Sequence, residues 1–194
     1  AIMGGGPIGA EMAQAHRRLG CNVTLIEMAP SIMGKDDPDL VDVVRRHLLA
    51  EGVDVRENTR ATAVSGTAGA IKIDLSTPTG AETISASHLL VATGRKPAIE
   101  RLNLDAAGIA HTPQAITVRP NMRTNVRHIF AIGDVVGGPQ FTHMAGHHAS
   151  VVVREMLFRL PTKANTTTVP WATYADPDVA HIARTPPAAR DAGR

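Results

Sequence analysis

Aromatic residues make up only 3% of the 194 positions, so core packing falls to Val, Ile, Leu, Ala and Met. The single cysteine, Cys21, excludes an internal disulfide framework and any Cys-x-x-Cys motif. It suits a reducing compartment and reads as a small buried hydrophobe beside a strand. No run approaches the roughly 18 apolar residues of a membrane span, and no charged region precedes an apolar one as in a secretory signal. The expected location is cytoplasmic, with no membrane partner. The formal net charge is only +2, and the basic residues come in scattered pairs such as Arg17-Arg18 and Arg45-Arg46. A nucleic-acid surface would need a denser basic cluster with interleaved aromatics. There is no Gly-x-Ser-x-Gly elbow. His143 and His147 stand four apart, but the carboxylate of a His-Glu-x-x-His site is missing and no further His or Cys completes a metal site.

The chain does have the composition of a globular protein, 43% hydrophobic and 20% charged, and is long enough for one or two domains. Residues 8 to 19 place Ile8, Met12, Ala15 and Leu19 at helical spacing, with Gly20 as a stop signal. VTLIE, Val23 to Glu27, reads as a buried strand. A second helix is expected from Pro38 with Leu40, Val43, Val44, His47 and Leu48 on one face, and VDVRE, Val53 to Glu57, as the next strand. This alternation predicts a parallel sheet with right-handed crossovers. RATAVSG, AIKIDLS and ETISASHLLVAT then alternate in a way that predicts an antiparallel excursion and a return strand, His88 to Thr93. Further on, ITVRP predicts a short strand and HIFAIGD a buried one ending in Gly133-Asp134. A helix is expected over His143 to Leu160, with Val151, Val152, Met156 and Leu160 among its apolar positions. Another strand is expected over Trp171 to Tyr174.

Gly4-x-Gly6-x-x-Gly9 fits the dinucleotide fingerprint: the first glycine for a tight turn, the second for close pyrophosphate approach, the third for packing of helix on sheet. About 20 residues on, at the end of a strand, Glu27 can accept hydrogen bonds from adenosine ribose hydroxyls and repel a 2′-phosphate. Met28, Ala29 and Pro30 offer no arginine to neutralise that phosphate, so NAD is favoured over NADP. IFAIGD, Ile129 to Asp134, gives a strand ending where a cofactor chain passes the backbone and an aspartate accepts a hydroxyl. The helix after it aims its positive end at the next part of such a cofactor.

GGGPIGAEMAQAHRRLGCNVTLIE, VATGRKP, HIFAIGDVVGGPQFTHMA and VPWATYADPDVA, in this order and spacing, resemble the pyridine nucleotide-disulfide oxidoreductases, flavoproteins such as dihydrolipoamide dehydrogenase and mercuric reductase. The likeness runs over nearly the whole chain. It implies an α/β fold: a Rossmann-like three-layer NAD-binding domain with an antiparallel excursion over 1–96, the second segment of an FAD-binding domain over 97–165, and the beginning of a dimerisation domain over 166–194. It implies that Gly4, Gly6, Pro7, Ile8, Gly9, Ala10 and Glu11 form the NAD loop, with Glu11 near the nicotinamide end. Glu27 matches the ribose-binding acid, Ala61 an adenine-side contact and Gly94 the glycine that approaches the nucleotide. Asp134 matches the acid that binds the FAD ribityl chain, and Gln140, Phe141, Thr142 and His143 the stretch facing the flavin. The family usually continues into VGLTE, where this chain has Ala183 at the usual glycine.

Family members also carry an amino-terminal FAD loop with a redox cysteine pair and a carboxy-terminal His-Glu pair donated across a homodimer, and none of these matches a stretch of this chain. The expectation is therefore a central portion of an enzyme that passes hydride from NADH through FAD to a disulfide or related acceptor. Such a portion is expected to bind NAD, to hold FAD poorly and not to turn over by itself. It would begin inside the first strand of the NAD domain, leaving Ala1, Ile2 and Met3 as a short central strand and the sheet weakest there. Two alternatives stand beside it: a stand-alone NAD-binding or regulatory module without catalysis, and a flavin-free NAD dehydrogenase, for which no convincing catalytic His or Lys is present.

Overall fold

The structure is a computed structural model and describes residues 1–166 and 168–182. The chain divides into two compact units, Ala1–Gly94 with Pro170 onward, and Arg95–Val169. Ala183 lies outside the described residues. Among the described residues, no helix is long and apolar enough to cross a membrane.

The first unit opens with strand β1 (Ile2–Met3) and helix α1 (Pro7–Arg18). Proline at the first helical position has the required φ and lacks only an N–H that would have no partner there, and His16, Arg17 and Arg18 complement the dipole at the far end. Strand β2 (Thr24–Ile26) follows, then helix α2 (Pro38–Ala50) and strand β3 (Asp54–Arg56). The Asp37 side chain caps α2 by accepting from the Asp39 N–H at 3.0 Å. An antiparallel sheet comes next, β4 (Arg60–Thr67), β5 (Ala70–Thr77) and β6 (Gly80–Ala86), with a register irregularity between Ala61 and Ala63. Strand β7 (Leu90–Val91) returns to the parallel sheet, whose order is β3-β2-β1-β7. Ile2 lies opposite both Leu25 and Leu90, so the two-residue β1 is the middle of the ladder.

The core of this unit joins Ile2, Leu25, Ala10, Ala13, Val41, Val44 and Leu48. The face that α1 buries is not the expected one. Gly9, Ala10, Ala13 and Gln14 point inward, while Ile8 and Leu19 are exposed. The start of the helix lies so near the loop that only glycine fits at position 9, while Met12 packs against the edge of the core. On α2 the buried row is Val41, Val44 and Leu48, one position round from expectation, leaving Leu40 and His47 outside. Cys21 is exposed: it sits in the turn before β2, with Val23 the first residue to reach the core.

In the second unit, β8 (His111–Thr112) and β9 (Ala115–Ile116) pair antiparallel, and Ile99, Leu104, Ile109, Ile116 and Ala131 form the core. HIFAIGD is not a strand. Phe130 forms an isolated antiparallel bridge to Arg123, flanked by the Thr124 N–H to the Ile129 carbonyl and the Ala131 N–H to the Met122 carbonyl, and a strand requires a longer ladder. Gly133–Val136 is instead a turn of 3-10 helix. Helix α3 (Thr142–Phe158) ends at Arg159 in the left-handed conformation, with Val151 buried but Met156 and Leu160 exposed.

The chain rejoins the first unit as an antiparallel hairpin, β10 (Trp171–Thr173) and β11 (Val179–His181). Ala175 and Val179 enter the first core. The Gln14 side chain brackets the hairpin turn: its Nε2 donates to the Asp176 carbonyl at 2.9 Å and its Oε1 accepts from the Asp176 N–H at 2.8 Å.

Candidate functional site

The loop between β1 and α1 is shaped by three glycines with different reasons for being glycine. Gly4 has φ +102°, and a Cβ there would lie 2.5 Å from the Ala92 carbonyl oxygen beyond β7. A Cβ on Gly9 would lie 1.8 Å from the Gly4 carbonyl oxygen, so α1 closes directly onto the loop. Gly6 is the N-cap of α1, in extended conformation, and a Cβ there would meet no atom within 4 Å. Packing accounts for Gly4 and Gly9 and leaves Gly6 unexplained. What a Cβ at Gly6 would fill is an open cradle before the N-terminus of a twelve-residue helix that has no side-chain cap and no acid in its first turn. Backbone amides at such an end receive anions. Pro7, Ile8, Gly9 and Ala10 form the first turn, and the Ala10 N–H returns to the Gly6 carbonyl at 3.0 Å.

Glu27 follows β2 directly and is half-buried. Its Oε2 accepts from the Gly5 N–H at 2.6 Å and its Oε1 from the Ala29 N–H at 2.7 Å. A carboxylate has about four acceptor positions, so two remain for a diol. The Glu27 carbonyl accepts from the Thr59 N–H at 2.8 Å, which brings the start of β4, and with it Ala61, to the same edge. Ala61 packs against Ile26, Ile73 and Leu75. Gly94 is exposed, has φ +124°, and a Cβ on it would meet nothing within 4 Å. Glu11 is half-buried and accepts the Tyr174 N–H at 2.9 Å, so this helix acid is tied to the hairpin. Sequence reasoning missed Gly5 and Ala29, which hold Glu27 through their N–H groups, and Glu57, whose carboxylate accepts from the Ile32 N–H; a run of three glycines was the one visible signal.

In the second unit, Asp134 is exposed, and its carboxylate has no hydrogen-bond partner among the described residues. Its turn is fixed to α3: Gly133, at φ +73°, would place a Cβ 3.2 Å from that of Ala145, and the Gly133 N–H donates to Nδ1 of His148 at 3.2 Å. The Gln140 carbonyl accepts from Arg95 at 2.8 Å. Phe141 is the N-cap residue of α3 and stacks on His143, ring centroids 5.2 Å apart, while Thr142 opens the helix exposed. His147 accepts the Asn165 N–H through Nε2 at 3.1 Å. An exposed carboxylate beside a long helix's N-terminus is a place where a hydroxylated, anionic molecule can be held.

A parallel sheet in the order β3-β2-β1-β7, a glycine loop leading into α1 and an acid closing β2 define a Rossmann-like α/β fold. More particularly, the chain belongs to the pyridine nucleotide-disulphide oxidoreductase family, whose model matches residues 1–149. It is 38% identical over 189 residues to a dihydrolipoyl dehydrogenase of Bacillus subtilis, covering 97% of this chain and 41% of that protein. With a mercuric reductase of Shigella flexneri it shares 36% over 183 residues, covering 94% of this chain and 32% of the relative. Among solved structures, the HOCl-induced flavoprotein disulfide reductase RclA of Escherichia coli superposes with a TM-score of 0.89 at 29% identity, over 99% of this chain and 44% of that one. The chain thus spans less than half the length of the relatives it matches.

Proposed function

We propose that this chain supplies the NAD-binding site, and part of the FAD-binding site, of a flavoprotein that passes hydride from NADH by way of FAD to a disulfide or a related acceptor. The observation that carries the reading is the open cradle at Gly6. Gly4 and Gly9 are demanded by the fold, whereas no packing contact demands glycine at position 6, where the absence of a side chain suits close approach of a diphosphate to the N-terminus of α1. In this reading the amides at the start of α1 hold the pyrophosphate and Glu27 accepts the ribose hydroxyls. Ala61 lies on the adenine side, Gly94 lets the backbone approach the nucleotide, and Glu11 stands toward the nicotinamide end. Asp134 would hold the ribityl chain of FAD, and Gln140 to His143 would face its ring; FAD, when bound, supplies the two-electron chemistry. The N-terminus of α3 favours negative charge there. The residues divide as an NAD-binding part over 1–96, an FAD-binding segment over 97–165 and the start of a dimerisation domain from 166, in a cytoplasmic homodimer. The redox dithiol is not drawn from this sequence, which has one cysteine.

Two alanine substitutions test the cradle. Gly6→Ala should lower stability by less than about 1 kcal/mol, because the N-cap backbone is extended and the space open. It should nevertheless weaken NADH binding on the order of a hundredfold, about 2.8 kcal/mol. Gly9→Ala should weaken binding and also destabilise the protein, by about 3 kcal/mol. Calorimetric titration and thermal melts read both quantities; undiminished NADH binding by Gly6→Ala contradicts the reading.

A further inference from the structure

Position 5 is a free position in the dinucleotide fingerprint, yet here it is fixed on three sides. Its N–H donates to Glu27 Oε2 at 2.6 Å, and its carbonyl accepts from the Met33 N–H at 2.7 Å. A Cβ on it would lie 2.8 Å from Ile32 Cγ2 and 2.9 Å from Glu27 Cβ. Ile32 and Met33 are buried, and Met33 takes a left-handed φ of +49°. The segment after β2 is therefore pressed onto the glycine loop.

Its other side is held from beyond β3. The Ile32 N–H donates to Glu57 Oε1 at 2.9 Å, and the Asn58 N–H donates to the Ala29 carbonyl at 2.9 Å. Glu57 Oε2 lies 3.9 Å from Arg45 of α2. Glu27, with one oxygen on Gly5 and the other on Ala29, sits between these two sets of anchors.

A carboxylate on a free side chain can swing away from an incoming phosphate, whereas one held at both oxygens must meet it. Rejection of a wrong partner by charge depends on that immobility. We propose that Gly5 and Glu57 are positioning residues for coenzyme discrimination, holding the Glu27 carboxylate so that an adenosine ribose with a free 2′-hydroxyl is accepted and one bearing a 2′-phosphate is rejected. This rests on the reading of Glu27 as the ribose acceptor. Glu57 acts through the Ile32 amide and Gly5 through the space it leaves for Glu27.

The test is titration of the whole chain with NADH and with NADPH, followed by nicotinamide fluorescence, for wild type, Glu57→Ala, Glu57→Gln and Gly5→Ala, with thermal melts of each. Glu57→Ala should reduce the NADH-over-NADPH preference on the order of tenfold, the loss expected when a hydrogen bond to a charged group goes. Glu57→Gln keeps an acceptor for the Ile32 N–H and should retain the preference. Gly5→Ala should reduce it while leaving Glu57 in place, and so carries the test if Glu57→Ala does not fold. A merely structural role would weaken both coenzymes in proportion, and an unchanged ratio in Glu57→Ala and Gly5→Ala overturns the proposal. If wild type shows no preference for NADH, the ribose reading falls, and this proposal with it.

Discussion

His148 is 4% exposed, accepts the Gly133 N–H on Nδ1, and leaves Nε2 buried without a partner among the described residues. Burial pushes its pKa below the ordinary imidazole value of 6.5, and the neighbouring His147 adds to the effect. The folded state thus favours the neutral ring, which can accept from Gly133. The stability this contributes is fully present above pH 6.5 and is lost as pH falls through the lower folded value. Protection of the Gly133 amide from hydrogen exchange should decline below pH 6.5 in the wild type, and much less in His148→Gln, whose side-chain oxygen does not titrate. A residue of this kind was not legible. In the sequence His148 is one more histidine beside His143 and His147, which complete no metal site, and its acceptor role exists only once the Gly133 turn lies against α3. The glycine fingerprint and Glu27 were legible because their chemistry depends on spacing alone. Gly5, Glu57 and Ala29 were not, because their work is done by single contacts with backbone amides that no spacing or composition marks.

Helix α1 shows why an element can be located correctly and still be turned the wrong way. Its start at Pro7 and its stop before Gly20 follow from local chemistry, but large apolar residues at helical spacing mark the buried face only where the neighbour leaves room. Here Ile8 and Leu19 are outside, and the polar Gln14 is 4% exposed. Gln14 is satisfied by the hairpin turn at Asp176 and by Glu51, whose Oε1 accepts from its Nε2 at 2.9 Å. Gln14→Ala leaves those partners without their bonds and should destabilise the first unit by about 2 kcal/mol. Trp171 is the single tryptophan and donates its indole N–H to Asp36 at 3.0 Å, so its fluorescence reports the hairpin directly. The expected result is an earlier thermal transition in that signal; a transition unchanged from wild type would show that Gln14 does not hold the hairpin. HIFAIGD fails for the complementary reason: apolar β-branched composition is visible in sequence, but a ladder partner is not.

At the scale of the molecule, the parallel pairing of β1, β2 and β3 could be anticipated from the alternation of strands and helices, and the return strand from the run after the antiparallel excursion, whereas the place of β7 beside β1 could not. The grouping of the hairpin with the first unit could not, because it rests on Gln14, Glu11 and Asp36 reaching more than a hundred residues along the chain. All the proposed NAD contacts lie within the first unit. Equilibrium titration of the chain with NADH and NADPH, without added flavin, therefore tests the central claim most directly. Saturable one-to-one binding of NADH, with NADPH bound at least about tenfold more weakly, is the predicted result. Absence of NADH binding, or equal affinity for the two coenzymes, would contradict it.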